Sequence, residues 1–168
     1  VLFRSPATHA DRLRASEASG AQAVHLALAD QDKRLTPNKI ITPSSIENAL
    51  RILLSIGGST NAIIHLIAMA GRLGVKIDLE RFDQISQRTP WLANIRPSGK
   101  YLMEDFFYAG GVRGLMAELK DILHLDCLTV NGKTLGENLK GADIFDADVI
   151  HRREKPLSLE GGLAVLRG

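Results

Sequence analysis

Residues 55–65 have the residue types and spacing best suited to binding chemistry. The run Gly57-Gly58-Ser59-Thr60-Asn61 joins one apolar helical pattern to the next through two adjacent glycines. Paired glycines let the backbone adopt a positive φ or approach another group closely. The three polar residues are N-cap types, so the second helix should begin with hydroxyls and free N–H groups that attract a carboxylate or phosphate. The same spacing is typical of a helical hairpin that needs its glycines for packing. Both interpretations stay open here.

A second candidate loop begins at Ser98, between two cations of a turn-rich stretch, and ends at the adjacent carboxylates Glu104 and Asp105. Burial among the neighbouring aromatic residues could raise a carboxyl pKa for acid–base work. Adjacent residues on a helix point in different directions, so the two carboxylates should not share a proton or a metal. The alternative is that one carboxylate caps a helix and the other pairs with a base.

Other polar clusters in the sequence are incomplete as catalytic or metal sites. His124 and Asp126 adjoin Cys127, but no second cysteine or spaced histidine completes a tetrahedral set, and we expect Cys127 to pack as a small apolar side chain. His65 follows Asn61 by about one turn and is predicted to be a hydrogen-bonded core residue. Nucleophile-elbow, P-loop and dinucleotide-binding patterns are absent. The residues alone therefore complete no catalytic constellation.

Helices must position these loops. Periodic apolar residues predict an amphipathic helix over 10–32 and another that begins at Thr42-Pro43, with Ser44 and Glu47 at the spacing of a capping box. Residues 62–70 are almost wholly apolar, so this helix is predicted to be buried on most sides, in a domain larger than this chain, and to expose core surface in the chain alone. Further helices are predicted at 78–87, 112–122 and 134–139.

Three short strands and one exposed connection are predicted. Residues 91–95 favour a short buried strand, residues 128–130 favour a strand that ends in an Asn-Gly turn, residues 141–158 favour an exposed connection, and residues 163–166 favour a final strand. Helices with occasional strands, followed by β-type sequence, indicate an α/β domain that leads into a β domain.

Composition excludes several classes of protein. The chain has 168 residues, 45% of them hydrophobic, with a formal net charge of +2 and one cysteine. This is enough apolar material for one core, and no basic run suggests nucleic acid. One cysteine cannot form an intrachain disulfide, and no segment has the length of apolar sequence that a membrane span needs. We expect a soluble, cytoplasmic protein.

The chain is predicted to be a piece of a longer protein. It begins with Val1 rather than methionine, and its final apolar strand has nothing after it to pair with. Leu2-Phe3-Arg4-Ser5 also matches the translation of a common sequencing adapter. Our hypothesis is that residues 1–5 are not native and have no part in the fold.

Three ordered motifs resemble the dihydroxy-acid and sugar-acid dehydratase family, often called IlvD/Edd. They are Gly57-Gly58-Ser59-Thr60-Asn61 before an Ile-His-Leu helix, Pro97-Ser98-Gly99-Lys100-Tyr101-Leu102-Met103-Glu104-Asp105-Phe106 with the later Ala109-Gly110-Gly111, and the run from Leu128 to Asn138. The likeness extends from about residue 10 to residue 168. The Pro-Ser-Gly and Phe-Phe-Tyr-Ala-Gly-Gly runs look most like the pentonate branch, such as arabinonate dehydratase.

The resemblance implies a hydro-lyase that converts a 2,3-dihydroxy acid, here a sugar acid, into a 2-keto-3-deoxy acid. Members of the family use an iron–sulfur cluster, commonly 2Fe-2S, as a Lewis acid, a Mg²⁺ ion and a serine base. They pair an N-terminal α/β domain, with a parallel sheet, with a C-terminal β-barrel domain, usually as dimers or tetramers. On this basis residues 6–150 would be the end of the α/β domain, and residues 151–168 the linker and first barrel strand.

The family's metal and catalytic residues do not map onto this chain. Its cluster cysteines lie upstream of the matched segment, as do the Mg²⁺-binding aspartate and carboxylated lysine. The remaining Mg²⁺ glutamate and the catalytic serine lie downstream. Cys127 matches no cluster position. The residues left as substrate-loop candidates are Gly57, Gly58, Ser59, Thr60, Asn61, Ser98, Glu104 and Asp105, and the chain alone is expected to be inactive.

Two other functions stay open at this stage. The first is a non-catalytic helical scaffold or binding module, in which the Gly-Gly turns only connect packed helices. The second is a phosphate-binding enzyme that uses residues 57–61, which is weaker because no P-loop lysine follows the glycines.

Overall fold

The computed structural model describes residues 9–30 and 34–166. The hypothesis about residues 1–5 therefore lies outside the described residues. Eight helices occur in the described part of the chain: α1 Ala10–Leu28, α2 Pro37–Ile40, α3 Pro43–Ile56, α4 Thr60–Arg72, α5 Leu79–Ser86, α6 Met103–Tyr108, α7 Gly111–Glu118 and α8 Leu135–Asn138. No helix in this part is both long and apolar enough to cross a bilayer.

Two apolar clusters meet along α3. The first surrounds α6 and α7 and contains Ile52, Leu92, Ala93, Ile95, Phe106, Ala109, Leu115, Leu119, Leu123, Ile144, Val149 and Ile150. The second lies between α3 and α5 and contains Ile46, Leu50, Leu54, Ala70, Phe82 and Ile85. Because α3 contributes side chains to both clusters, the turn at its C-terminal end is held firmly from two directions.

The predicted start of α3 is confirmed, but with a different capping partner. Thr42 is the N-cap; its hydroxyl accepts the Ser45 N–H at 3.2 Å, and the Ser45 hydroxyl accepts the Thr42 N–H at 2.8 Å. The box therefore joins Thr42 to Ser45 rather than Ser44 to Glu47. The physical reason is register: with Thr42 as N-cap, the reciprocal position is three residues later.

Glu47 instead lies in a cluster of cations. Its Oε1 accepts Arg51 Nη2 at 2.6 Å, its Oε2 accepts Arg81 Nη2 at 2.7 Å, and His124 Nε2 lies 3.7 Å from Oε1. Burial alone would raise the pKa of the Glu47 carboxyl. The hydrogen bonds and charges of Arg51 and Arg81 outweigh that burial and hold the pKa below its usual value of 4.5.

We therefore expect Glu47 to make stability depend on acid pH. Because the folded-state pKa is depressed, its contribution is present above about pH 4.5 and is lost as the pH falls through the lower folded-state value. Urea unfolding from pH 7 to pH 3 should show Glu47→Gln destabilised at pH 7, with the difference from wild type shrinking toward pH 3. Glu80→Gln, which changes an exposed carboxyl of α5, is the control. A constant difference across the range would contradict this assignment.

The apolar sides of α1 and α4 are largely exposed. Helix α1 buries no residue, and Leu28 is 80% exposed. In α4 only Ala70 is buried, while Ile64 is 64% exposed and His65 is also exposed. The prediction that His65 is a core residue is therefore wrong for the described chain. The burial of α4 was predicted for a larger domain and stays a prediction. Among the helices α4 packs mainly on α3, and its other side stays open. The predicted exposure of core surface is confirmed.

Residues 141–158 are not an exposed connection, contrary to the sequence-based prediction. Ile144, Val149 and Ile150 are buried in the first cluster. Backbone hydrogen bonds hold this segment against residues 91–95, from Asn94 N to Val149 O at 2.9 Å and from His151 N to Leu92 O at 2.9 Å. The charged residues of the segment are exposed or paired, and the apolar ones between them enter the core.

The predicted strands occur as isolated bridges. Residues 91–95 are extended and mostly buried, with bridges from Trp91 to Ser158, from Ala93 to Ile150 and from Ile95 to Tyr101. A single antiparallel bridge joins Leu128 to Thr134 around the predicted turn. Residues 163–166 form no bridge within the described chain, and the final strand predicted there, with its pairing partners outside the chain, stays a prediction. Leu163 and Val165 pack against the second cluster.

Candidate functional site

The Gly-Gly turn closes the C-terminal end of α3. Gly57 adopts a left-handed conformation with φ +82°, and its N–H donates to Leu54 O at 3.2 Å. A Cβ on Gly57 would lie 2.9 Å from Trp91 Nε1, and one on Gly58 would lie 2.6 Å from Leu53 Cδ1. Both contacts are closer than real Cβ atoms make. The packing interpretation of the two glycines is therefore confirmed.

A second glycine pair covers the same turn from the other side. Gly162 donates its N–H to Leu54 O at 2.9 Å, and an added Cβ would lie 2.5 Å from the Gly57 Cα. Gly161 donates to Ser86 O at 2.9 Å, and the Ser86 hydroxyl donates to Leu163 O at 2.6 Å. The chain at 161–163 is thus docked on α3 and α5, with backbone against backbone at Gly57.

The polar part of the turn is open to solvent. Ser59 is the N-cap of α4 in an extended conformation, but its side chain makes no capping hydrogen bond. Ser59, Thr60 and Asn61 are all exposed. The α4 helix thus begins with N–H groups that the Ser59 side chain does not satisfy, which is the geometry that favours an anion at a helix start.

The second candidate loop is fixed by Asn94. The Asn94 Oδ1 accepts the Lys100 N–H at 3.0 Å, and Asn94 O accepts the Tyr101 N–H at 3.0 Å. Gly99 packs so closely on this segment that an added Cβ would lie 2.4 Å from the Asn94 carbonyl carbon. Ser98, at the tip of the loop, is exposed. The loop is therefore well anchored, with its hydroxyl residue available at the surface.

The adjacent carboxylates have separate environments, as the helix geometry predicted. Asp105 Oδ2 accepts the Leu102 N–H at 2.7 Å, so Asp105 satisfies a donor at the start of α6. Glu104 is exposed and forms no ion pair within the described residues. The capping half of the alternative is thus confirmed, and neither carboxyl is buried as the acid–base hypothesis requires.

The two loops lie at opposite ends of residues 91–95. Trp91 adjoins the Gly57 turn and Asn94 holds the second loop, and an extended segment of this length spans about 13 Å. No hydrogen bond in the described part of the chain joins the two loops. The structure therefore places the two predicted loops beside the two ends of one extended segment and does not bring their side chains together into one site.

A cavity of about 840 Å³ lies elsewhere, beside α7. Arg152 dominates its wall: Nη1 donates to Glu118 Oε2 at 3.1 Å, and Nη2 donates to Asp143 Oδ1 at 3.0 Å and to Ile144 O at 3.1 Å. A hydrogen bond from the Ile144 N–H and those from Arg152 lower the pKa of Asp143. The charges of this wall thus neutralise one another. Sequence reasoning missed the network because 34 residues separate Glu118 from Arg152 and no local spacing marks the pair.

The donor set of the chain does not fit an iron–sulfur cluster, which needs several thiolate ligands. Cys127 is the one cysteine, its Sγ lies 3.7 Å from Asn48 Nδ2, and burial raises the pKa of its thiol. Within residues 9–30 and 34–166 no three His, Cys, Asp or Glu side chains are grouped to hold a metal ion. The described residues therefore offer no ligand set for such a cluster.

A family profile and several known proteins match almost the whole chain or most of it. Residues 4–138 match the profile of the family described as dihydroxy-acid/6-phosphogluconate dehydratase, N-terminal. The chain is 41% identical over 165 residues to a protein of Ruminiclostridium cellulolyticum named dihydroxy-acid dehydratase. It is 43% identical over 166 residues to one of that name from Methanosarcina barkeri, and 44% identical over 168 residues to one from Cytophaga hutchinsonii. These alignments cover 96–98% of the chain but 29% of each relative.

Proposed function

Because this chain belongs to the dihydroxy-acid/6-phosphogluconate dehydratase family, we propose that it is part of a hydro-lyase that removes water from a 2,3-dihydroxy acid to give a 2-keto acid. The observation that carries the proposal is identity of 41–44% to proteins named dihydroxy-acid dehydratase along almost the whole chain. The chain spans 29% of the length of those relatives. The activity is therefore proposed for the longer parent protein, and the isolated chain is expected to be inactive.

Within that class, two observations bear on the substrate. The Pro97-Ser98-Gly99 run and the aromatic run before Ala109-Gly110-Gly111 favour a sugar acid, with a pentonate first and a 2-keto-3-deoxy acid as product. The relatives' name, dihydroxy-acid dehydratase, specifies a dihydroxy acid and no sugar acid. Both kinds of substrate present a carboxylate next to two hydroxyl groups, so the same helix start could bind the carboxylate of either.

We assign this chain the role of scaffold and cavity wall. The exposed start of α4, at residues 59–61, would bind the substrate carboxylate through its backbone N–H groups and the Ser59 hydroxyl. The anchored loop from Ser98 to Asp105 would form a second part of the wall. An iron–sulfur cluster and Mg²⁺ would supply Lewis-acid chemistry in the parent, with ligands outside these 168 residues.

The wider organisation of the parent is also a proposal. We expect a cytoplasmic homo-oligomer, a dimer or a tetramer. Residues 6–150 would complete its α/β domain, and residues 151–168 would lead into a β-barrel domain. Gly161 and Gly162 lie against α3 and α5, so the connection would leave the helical part only after these contacts.

The test is to obtain the parent reading frame, express the protein without oxygen, and assay 2-keto acid formation from pentonates, hexonates and dihydroxy-isovalerate while recording cluster absorbance. Turnover by a cluster-bearing parent is expected, with none from the 168-residue chain. The preferred acid decides between the two substrate kinds. A cluster-free parent that is inert on every acid would contradict the proposal and favour the scaffold module.

The role of the α4 start is tested in the same assay. Ser59 makes no capping bond, so Ser59→Ala should leave stability unchanged. If this helix start binds the substrate, the variant should raise KM by about tenfold, the usual cost of one hydrogen bond to a charged group. Ser98→Ala tests the second loop separately, and Ser16→Ala on α1 is the matched exposed control. An unchanged KM in both loop variants would remove the loops from the site.

A further inference from the structure

A small cleft near α6 combines aromatic rings with carboxylates. Its volume is about 200 Å³, the space of one long side chain, and its wall is formed chiefly by Tyr101, Asp105, Tyr108, Phe145 and Asp146. We call these five residues the aromatic cleft. Tyr101 and Asp105 belong to the second candidate loop, whereas Tyr108, Phe145 and Asp146 have no role in the proposed function.

The aromatic side chains of the cleft are unusually exposed. Phe145 is 78% exposed and Tyr108 is 57% exposed, and Met103 at the start of α6 is 55% exposed. The backbone beneath them is fixed, because Phe145 N donates to Ala109 O at 2.9 Å and its neighbour Ile144 is buried. Large apolar side chains displayed together on a rigid backbone are typical of a surface that another segment covers.

The charges of the cleft define what would fit. Asp105 uses Oδ2 for the Leu102 N–H, and Asp146 uses Oδ1 for the Asp148 N–H. Neither carboxylate forms an ion pair within the described residues. The Tyr101 ring already attracts one cation, since Lys100 Nζ lies 5.1 Å from its centre. Two carboxylates beside aromatic rings complement a cation, and above all a guanidinium, which stacks on rings and binds carboxylates with two parallel hydrogen bonds.

We infer that the aromatic cleft receives an arginine side chain, carried on an apolar segment of the parent polypeptide outside these 168 residues. The chain spans 29% of its relatives' length, so most of a parent of that size is available to cover it. The inference rests on the proposed function only in requiring that longer parent. Its contact chemistry comes from the cleft itself.

Hydroxyl-radical footprinting of the parent, read by mass spectrometry at Tyr108 and Phe145, tests this inference. The variant is Asp146→Asn, whose side-chain oxygen can still accept the Asp148 N–H while the charge is lost. Asp148→Asn, on the same exposed loop but outside the cleft, is the matched control. Phenylglyoxal labelling in parallel identifies any arginine that becomes reactive, and thermal unfolding checks that each variant is folded.

We expect low modification of both rings in wild type and in Asp148→Asn. In Asp146→Asn the modification of both rings should rise about fivefold, the effect expected for loss of a partly exposed cation contact. One arginine outside the chain should then become reactive toward phenylglyoxal. Rings modified freely in wild type, or protected equally in Asp146→Asn, would overturn the inference. Protection that depends on protein concentration would also overturn it, since the occupant would then be a second copy. Turnover is read separately, so an inactive parent with a protected cleft contradicts only the proposed function.

Discussion

Replacement of Gly57 by alanine is expected to lower the free energy of unfolding by about 3 kcal/mol, as the sum of two separate costs. The first is the left-handed conformation, φ +82°, which costs a residue with a Cβ about 1 kcal/mol. The second is steric. The new Cβ would lie 2.9 Å from Trp91 Nε1, and Gly162 packs on the Gly57 backbone from the other side. Overpacking of this kind costs about 1–3 kcal/mol.

Gly74 separates these two costs. It has a similar conformation, φ +72°, but nothing lies within 4 Å of a Cβ added there. Gly74→Ala should therefore lower the free energy of unfolding by only about 1 kcal/mol, the conformational part alone. Urea unfolding of both variants, followed by Trp91 fluorescence and by circular dichroism, gives the comparison. Equal losses would show that the contacts of Gly57 with Trp91 and Gly162 contribute nothing.

Helix starts and ends were predictable because their signals are local. Thr42-Pro43 and Asp78 each mark a helix start with a capping side chain within three residues of the groups it satisfies. Thr134 does the same with Glu137, and this short helix appears where the sequence placed it. Such contacts form within one turn of the chain, so the sequence alone carries the information they need.

Burial was much less predictable, because it depends on what packs from a distance. Residues 141–158 have the composition of a surface loop, yet Ile150 is fully buried and forms a bridge to Ala93. The apolar run of α4 has the composition of a core helix, yet Ile64 is mostly exposed. Whether a segment is buried depends on residues far away in the sequence, and the composition of the segment itself does not show whether they pack on it.

The candidate site shows the same division. The sequence identifies Gly57 and Gly58 as conformationally special, since only glycine adopts such turns cheaply. It cannot show that Trp91 and Gly162 are the groups that approach Gly57, because both lie more than thirty residues away. It also offers two interpretations of the turn as rivals. The structure makes them compatible, with packed glycines on one side and an open helix start on the other.

Glu118 holds the later part of the chain in place, and its removal should have the second large effect. Its side chain is only 13% exposed; Oε2 accepts Arg152 Nη1 at 3.1 Å and Oε1 accepts the Arg153 N–H at 2.9 Å. Glu118→Ala would leave a guanidinium and a backbone donor without this acceptor. We expect the free energy of unfolding to fall by about 2–3 kcal/mol, as for loss of a partly buried charge with two hydrogen bonds.

Two further variants identify which property of Glu118 matters. Glu118→Gln keeps an acceptor of similar shape without the charge, so it should cost about 1 kcal/mol. Asp121→Ala removes the carboxylate that pairs with Arg153 at a site 57% exposed, and should cost less than about 1 kcal/mol. Urea unfolding gives the change in free energy of unfolding for all three variants.

Native-state hydrogen exchange at the Ile150 and His151 amides then locates the effect, because these amides lie on the segment that Arg152 anchors. Faster exchange there in Glu118→Ala but not in Asp121→Ala would establish Glu118 as the anchor, whereas equal exchange in both would show that the segment is held by its apolar contacts alone.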